Sequence, residues 1–252
     1  MQEVINTPPI LLNVENLSIS FGDNKVLQKM HLTLHENESI VVVGKSGSGK
    51  SVLIKCIIGL LSADSGTISI FGKDISQLNE NEFNNIKSKM GFLFQGNALY
   101  DSMTVKENME FAMLRQPEVK SRSTMDSMII ESLSDVGLAH TINMMPAELS
   151  GGMRKRIAIA RTIVMKPKII LYDEPTAGLD PITGKEIINL INTIKNKYHT
   201  ASLIITHDIQ CIQQTGDLII ILHQGSCYAC DSYNQLKKSQ DPVIASFLNI
   251  TT

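Results

Sequence analysis

The sequence predicts an α/β fold: a mostly parallel β-sheet core covered by helices, an antiparallel β subdomain and an inserted α-helical subdomain. Three observations carry this. Short apolar runs bounded by turn residues alternate with amphipathic, helix-like stretches in the second half of the chain. One apolar run ends in a glycine-rich turn that opens a helix-like segment. A block from about residue 104 to residue 164 carries helical periodicity and little strand character.

Size and charge fit one large domain, or a domain with a subdomain. The chain has 252 residues, 43% of them hydrophobic, enough for a sizeable core. Its formal net charge of −2 argues against a protein that grips nucleic acid through its phosphates. No apolar run approaches the roughly 20 residues needed to span a bilayer. The opening "MQEVINTPPI" has neither a basic nor an apolar leader region, so a cytosolic location is expected.

The elements follow in order. "LLNVENLSISF" alternates as a strand, "MHLTLHENESIVVVG" supplies more strand, and "GTISIFGKDI" follows. "SKMGFLFQ" ends the β-rich opening, and the Met-rich helical block begins. "PKIILYDEP" is a short buried strand. "DPITGKEIINLINTIKNK" is a helix with Asp180 as N-cap, Pro181 in its first turn and an apolar stripe of Ile187, Leu190, Ile191 and Ile194. "TASLIITH" and "DLIIIL" are two more buried strands, and "DPVIASFLNITT" is a short helix at most.

Cysteine usage fits a reducing compartment. Cys56 and Cys211 lie among apolar neighbours and read as buried filler. Cys227 and Cys230 form "CYAC" within a strand, a Gln-Gly turn and a second strand. A single pair without a second pair or histidines is weak evidence for a metal.

The chemistry concentrates in a few places. Gly44, Lys45, Ser46, Gly47, Ser48, Gly49, Lys50 and Ser51 form a phosphate-binding loop between a buried strand and the helix that Val52 continues. Glycines there let backbone N–H groups converge on phosphate oxygens, and the helix N-terminus adds the positive end of its dipole. Lys50 can reach the β- and γ-phosphates of a bound nucleotide, and the Ser51 hydroxyl can ligate Mg²⁺. The strand "KIILYDEP" delivers Asp173 and Glu174 at its C-terminal end, where ligands sit in open α/β sheets. Asp173 is placed to hold Mg²⁺, directly or through water. Glu174 can orient and deprotonate the attacking water. His207 ends another buried strand and reads as a γ-phosphate contact. Gln95 ends a further strand where the helical block begins; its amide can touch Mg²⁺ and the attacking water.

The loop "GKSGSGKS", Gln95, "LSGGM", the strand "IILYDE", the segment "AGLD" and His207, in this order, resemble the nucleotide-binding subunit of ABC transporters over nearly the whole chain. The resemblance implies a P-loop ATPase with a RecA-like core and one ATP-binding domain over residues 10–248. Residues 10–95 and 166–231 would form the β subdomain and core, 96–165 the helical subdomain, and 232–252 a short C-terminal helix or tail. It implies ATP and Mg²⁺ as cofactors and a head-to-tail homodimer. Ser150, Gly151 and Gly152 would face the ATP of the second copy, and Asp180 would lie at the dimer seam. Phe21 falls where the family stacks an aromatic ring on adenine; the alternative is a core-facing strand residue. The basic residues of "GGMRKRIAIAR" (Arg154, Lys155, Arg156 and Arg161) spread around their helix and read as solvated or salt-bridged, beside an apolar seam of Met153, Ile157, Ala160 and Val164.

Finer features point within the family. Met153 in "LSGGM", Tyr172 before the acidic pair, and "GFLFQGNALYDSMTVKENMEFAMLR" resemble the ATPases of Mla/Mce-type phospholipid transport systems, with Asn97 as a small departure. The implied partners are an MlaE-type integral permease, a STAS-domain MlaB-like protein and a periplasmic Mce-domain MlaD-like protein, with no nucleic acid. The chain would sit on the cytoplasmic side of the inner membrane through its permease. Phe94, Leu99, Tyr100 and Met103 would line a cleft for a permease helix, or serve ordinary packing. Three other readings remain: a transporter ATPase for a different cargo, a soluble ABC ATPase acting on DNA or ribosomes, and a nucleotide-gated regulator without turnover. The chain has one cassette and none of the tandem or coiled-coil additions of the soluble machines. It keeps Glu174, Gln95 and His207, which argues against a dead site.

Overall fold

In the computed structural model, which describes residues 8–96, 99–114 and 121–248, two β-sheets carry the chain. The first strands are β1 (Ile10–Phe21), β2 (Asn24–His35) and β3 (Ser39–Val43), followed by α1 (Lys50–Ile57). Then come β4 (Ser65–Ile70), β5 (Lys73–Asp74), α2 (Glu80–Lys87) and β6 (Met90–Leu93). Three helices follow: α3 (Val105–Met113), α4 (Arg122–Asp135) and α5 (Gly151–Ile163). The chain then runs through β7 (Ile169–Asp173), α6 (Pro181–Tyr198), β8 (Ala201–Ile205) and α7 (Ile209–Thr215). It closes with β9 (Leu218–His223), β10 (Ser226–Asp231), α8 (Tyr233–Leu236) and α9 (Pro242–Leu248).

The smaller sheet runs β2-β1-β4-β5 and is antiparallel throughout. The larger runs β10-β9-β3-β8-β7-β6, parallel except for β10, which turns back along β9 through a left-handed Gln224 and Gly225. Gln28 N–H donates to Gly225 O at 2.8 Å, joining the two sheets. The α/β class with its antiparallel β portion is therefore as the sequence predicts.

The uninterrupted apolar runs have a simple cause. Along each central strand, alternate residues enter different cores. Val41, Ile170, Tyr172, Ile204, Ile219 and Ile221 pack with helices α3 to α7. Ile40, Val42, Ile169, Leu171, Leu203, Ile205 and Ile220 pack with α1, α2 and the small sheet. A strand covered on both faces cannot alternate with polar residues, and each such isoleucine or leucine contributes about 1.5–3 kcal/mol by burial.

Caps fix the helices. Asp180 accepts from Ile182 N–H and Thr183 N–H at 3.1 and 3.0 Å, with Pro181 in the first turn of α6. Ser150 accepts from Met153 N–H at 3.2 Å at the start of α5. Thr104 and Glu107 exchange bonds in a capping box at α3.

One expectation is corrected here. Lys155 is not solvated: it is 1% exposed, and its Nζ has no hydrogen-bond partner. The turn-by-turn spread of basic residues cannot reveal this, because α5 is packed on several sides, by α3, α4, α6 and β6. Arg156 does pair as expected, with Glu186 at 2.6 Å, and Arg154 donates to Leu149 O at 3.1 Å. Cys56 and Cys211 are buried, while Cys227 is half-buried and Cys230 exposed on β10. Asn97 lies outside the described residues. Among the described residues no helix is long and apolar enough to cross a membrane.

Candidate nucleotide-binding and hydrolysis site

Parallel pairing brings the functional strand ends to one side of the large sheet. Val42 and Asp173 both sit in register with Ile205, so β3, β8 and β7 end side by side. The chain beyond those ends carries the glycine-rich loop, His207 and Glu174, and β6 delivers Gln95 from beyond β7. A cleft of about 640 Å³, within the usual range for small-molecule sites, is lined by Phe21, Gly44, Ser46, Gly47, Gly49, Lys50, Ser51, Val52, Gln95, Asp173, Glu174 and His207. Lys45 and Ser48 belong to the same loop without lining the cleft. Val26 and Ile205 also line it; the motif reading missed both, because each reads simply as a strand residue.

The loop's shape needs its glycines. A Cβ at Gly44 would stand 2.4 Å from Ser48 Oγ and 2.8 Å from Leu222 O. Gly49 has φ 104°, and caps α1 in a left-handed conformation that glycine adopts without strain. Lys50 Nζ folds over this loop and donates to Gly44 O at 2.6 Å and Lys45 O at 3.0 Å. Burial pushes its pKa down, while the charges of Glu174 and Asp173 oppose that shift.

Asp173 and Glu174 differ in setting. Burial, then the neighbouring Glu174, pushes the Asp173 carboxyl above its ordinary range; Lys50, Lys155 and Lys55 pull it back. Glu174 has φ 49°, a left-handed backbone that a non-glycine residue adopts at a cost. Its N–H donates to Ile205 O at 2.8 Å. Its Oε1 lies 2.9 Å from His207 Nδ1, while Oε2 is buried with no partner. The sequence carries no signal for this twist or for the Glu174–His207 pairing.

Phe21 is 50% exposed at the end of β1, so it is not a core residue. Phe94 and Tyr100 are exposed, Met103 is half-buried, and Leu99 packs against the core. Tyr100 stacks edge-on against Phe111 with ring centroids 4.7 Å apart. Asn108, fully buried, accepts from Tyr100 N–H at 2.8 Å and directs its amide to Tyr100 O, Met103 O and Thr104 O. It ties this stretch to α3, a role the sequence did not disclose.

Ser150, Gly151, Gly152 and Asp180 lie elsewhere. They share a second cleft with Thr183, Arg156 and Glu186, and none of them lines the first.

Fold and site together define a nucleotide-hydrolysing cassette. The chain matches the ABC transporter family over residues 27–177, and it belongs to that family as an ATP-binding, ATP-hydrolysing subunit. It is 37% identical over 240 residues to the probable ribonucleotide transport ATP-binding protein mkl of Mycobacterium tuberculosis, covering 95% of this chain and 67% of mkl. It is 32% identical over 238 residues to the intermembrane phospholipid transport system ATP-binding protein MlaF of Haemophilus influenzae, covering 94% of this chain and 90% of MlaF. Among solved structures, the dimeric post-hydrolysis ATP-binding cassette MJ0796, bound to ADP and Pi, superposes with a TM-score of 0.78 at 30% identity, covering 88% of this chain and 98% of that one. Members of the family work as dimers with membrane permeases.

Proposed function

We propose that this chain hydrolyses ATP in a head-to-tail homodimer that powers phospholipid transport between inner and outer membranes, seated on an MlaE-type permease. One observation carries the dimer reading: the phosphate loop and the serine-glycine helix end occupy separate clefts of the same chain. Each is half of a site, and two copies facing each other complete both. Free N–H groups and the dipole at the start of α5 suit the terminal phosphate of the second copy's ATP. The 76% exposure of the His207 side chain leaves it reachable across such an interface.

The residues divide the work. Lys50 and the loop amides bind the phosphates, and Phe21 offers its exposed ring to adenine. Ser51, Gln95 and Asp173 form an all-oxygen donor set that fits Mg²⁺. Mg²⁺ there would supply charge neutralisation on the phosphoryl oxygens. Glu174 orients the attacking water and takes its proton, and its place in the cleft beside the phosphate loop supports that role. His207 holds Glu174 through Oε1. Residues 96–165 serve as the helical subdomain, and Phe94, Tyr100 and Met103 offer apolar contact to a permease helix; Leu99 is committed to the core.

The MlaF relative and Met153 of "LSGGM" support phospholipid as cargo, with the MlaB-like and MlaD-like proteins as further partners on the same basis. The chain would then lie on the cytoplasmic face of the inner membrane. The mkl relative favours a second reading, a different cargo. Purification with the membrane partners, followed by mass spectrometry of bound small molecules, separates them. Recovery of phospholipid supports the first reading; consistent recovery of nucleotide or amino acid as cargo overturns it.

A further inference from the structure

We propose that Cys227 and Cys230 form a reversible disulfide site on β10: the two thiols close into an internal bond by exchange with a small-molecule disulfide, and a reductant reopens it. Neither cysteine lines the nucleotide cleft or the Ser150 cleft, so the inference does not depend on the reading of either.

Strand register supplies the geometry. In a regular strand side chains alternate between faces, so residues three apart point to opposite sides. β10 is not regular. Cys227 pairs with Leu222, Ala229 with Ile221 and Cys230 with Ile220, which leaves Tyr228 as the extra residue of a bulge. That extra residue returns Cys230 to the face of Cys227. The cores on the two sides agree: Leu222, Ile220 and Cys227 belong with α1, α2 and the small sheet, whereas Ile221 and Ala229 belong with the other core. The cysteines therefore stand opposite residues two apart on β9, a span of about 6.6 Å at the usual rise per residue. Disulfides bridge Cα atoms up to about 6.8 Å apart, so the pair lies at the long end of the permitted range. Cys227 Sγ also leans the right way. It lies 3.8 Å from Ala229 O, the carbonyl of the peptide that joins Ala229 to Cys230. The bulge is anchored in the folded chain, because Tyr228 Oη donates to Asp241 at 2.7 Å and its ring meets His223 edge-on at 5.5 Å.

Exposure assigns the two roles. Cys230 is exposed and Cys227 half-buried, while Cys56 and Cys211 are buried. The Cys230 thiolate attacks one sulfur of a disulfide such as oxidised glutathione, one glutathione thiol leaves, and the other half stays on Cys230 as a mixed disulfide. The Cys227 thiolate then attacks the Cys230 sulfur and expels the second glutathione thiol. The two cysteines lose two electrons and two protons, and the oxidised glutathione gains them as two thiols. Burial pushes the Cys227 thiol up to about 11, so its attack is the slow step and the open dithiol persists at neutral pH. A bond closed at the long end of the permitted span is readily reduced, which makes the site reversible.

The test incubates the folded full chain with oxidised glutathione at about pH 8.5, where thiolates form, quenches it in acid, and measures intact mass and the thiols that react after denaturation. Those thiols should fall from four to two, and the chain should become two hydrogens lighter with no glutathione attached. Dithiothreitol should restore all four. Cys227→Ser should stop at a glutathione adduct on Cys230, and Cys230→Ser should form no internal bond. Four thiols retained by the wild type overturn the proposal, as does a wild type that keeps attached glutathione in place of an internal bond. An internal bond that still forms in either serine variant overturns it too. Should a variant fail to fold, fragmentation of the oxidised wild-type peptide decides: a bond between Cys227 and Cys230 supports the site, and a bond between any other pair, or between two chains, refutes it.

Discussion

Glu174 Oε1 lies 2.9 Å from His207 Nδ1, a contact that joins the residues just beyond two neighbouring parallel strands. Glu174 makes this contact from a left-handed backbone, with φ of 49°, just past the strand end. One carboxylate oxygen is thereby held, and the other is left uncommitted and buried. A carboxylate held in one orientation at a strand end is suited to orienting a water molecule.

Replacing Glu174 by Gln should keep nucleotide binding, prolong the ATP-bound dimer and lower kcat by about 100-fold or more. His207→Ala should lower kcat with less effect on nucleotide affinity, since it frees Glu174 without removing it. Single-turnover kinetics and size-exclusion chromatography with ATP check both. Wild-type turnover in Glu174→Gln would refute the assignment.

Lys50→Ala should abolish productive ATP binding and nucleotide-dependent dimerisation. It removes the cation that folds over Gly44 and Lys45. Calorimetric titration with ATP measures this directly, and undiminished affinity counts against the loop's role.

Gly151 and Gly152 separate fold from function. A Cβ at Gly151 meets nothing within 4 Å, so Gly151→Ala should leave the melting temperature unchanged while weakening ATP-dependent dimerisation. A Cβ at Gly152 would stand 2.7 Å from Thr183 Cγ2. Gly152→Ala should therefore cost about 1–3 kcal/mol by overpacking. Adding Thr183→Ser removes that methyl, keeps the hydroxyl that donates to Asp180, and should restore part of the loss.

Asn108→Ala should cost about 1–3 kcal/mol, because Tyr100 N–H, Tyr100 O, Met103 O and Thr104 O, all part-buried, each lose a hydrogen bond. Chemical denaturation gives the value. Faster hydrogen exchange at residues 100–104 would locate the effect.

Acid should weaken two caps. The backbone N–H and then the hydroxyl of Thr104 hold the Glu107 carboxyl below its ordinary value of 4.5. The hydroxyl and then the N–H of Thr183 hold Asp180 below its ordinary 3.8. A depressed carboxyl binds fewer protons in the folded chain than in the unfolded one. Its contribution is therefore complete above the ordinary value and fades as pH falls through the folded-state value. The melting-temperature gap between wild type and Glu107→Gln, or Asp180→Asn, should be largest at neutral pH and close in acid.

Much of this protein was legible in the chain itself. The strand–loop–helix around Lys50, the buried strands ending at Asp173 and His207, and the Asp180 cap are set by near neighbours: apolar runs, glycines and a side chain that meets its own helix. Such features need no knowledge of distant residues. Other features were decided by packing alone. Glu174's left-handed backbone bonds to Ile205 on the adjacent strand, and Asn108's side chain bonds to a folded-back segment. Lys155 is the sharpest case, since its residue type announces solvent and its position is dry. Sequence determined which groups this protein has and which local elements carry them. Tertiary structure decided which charges meet, because burial and approach across the sheet depend on strands and helices far apart in the chain.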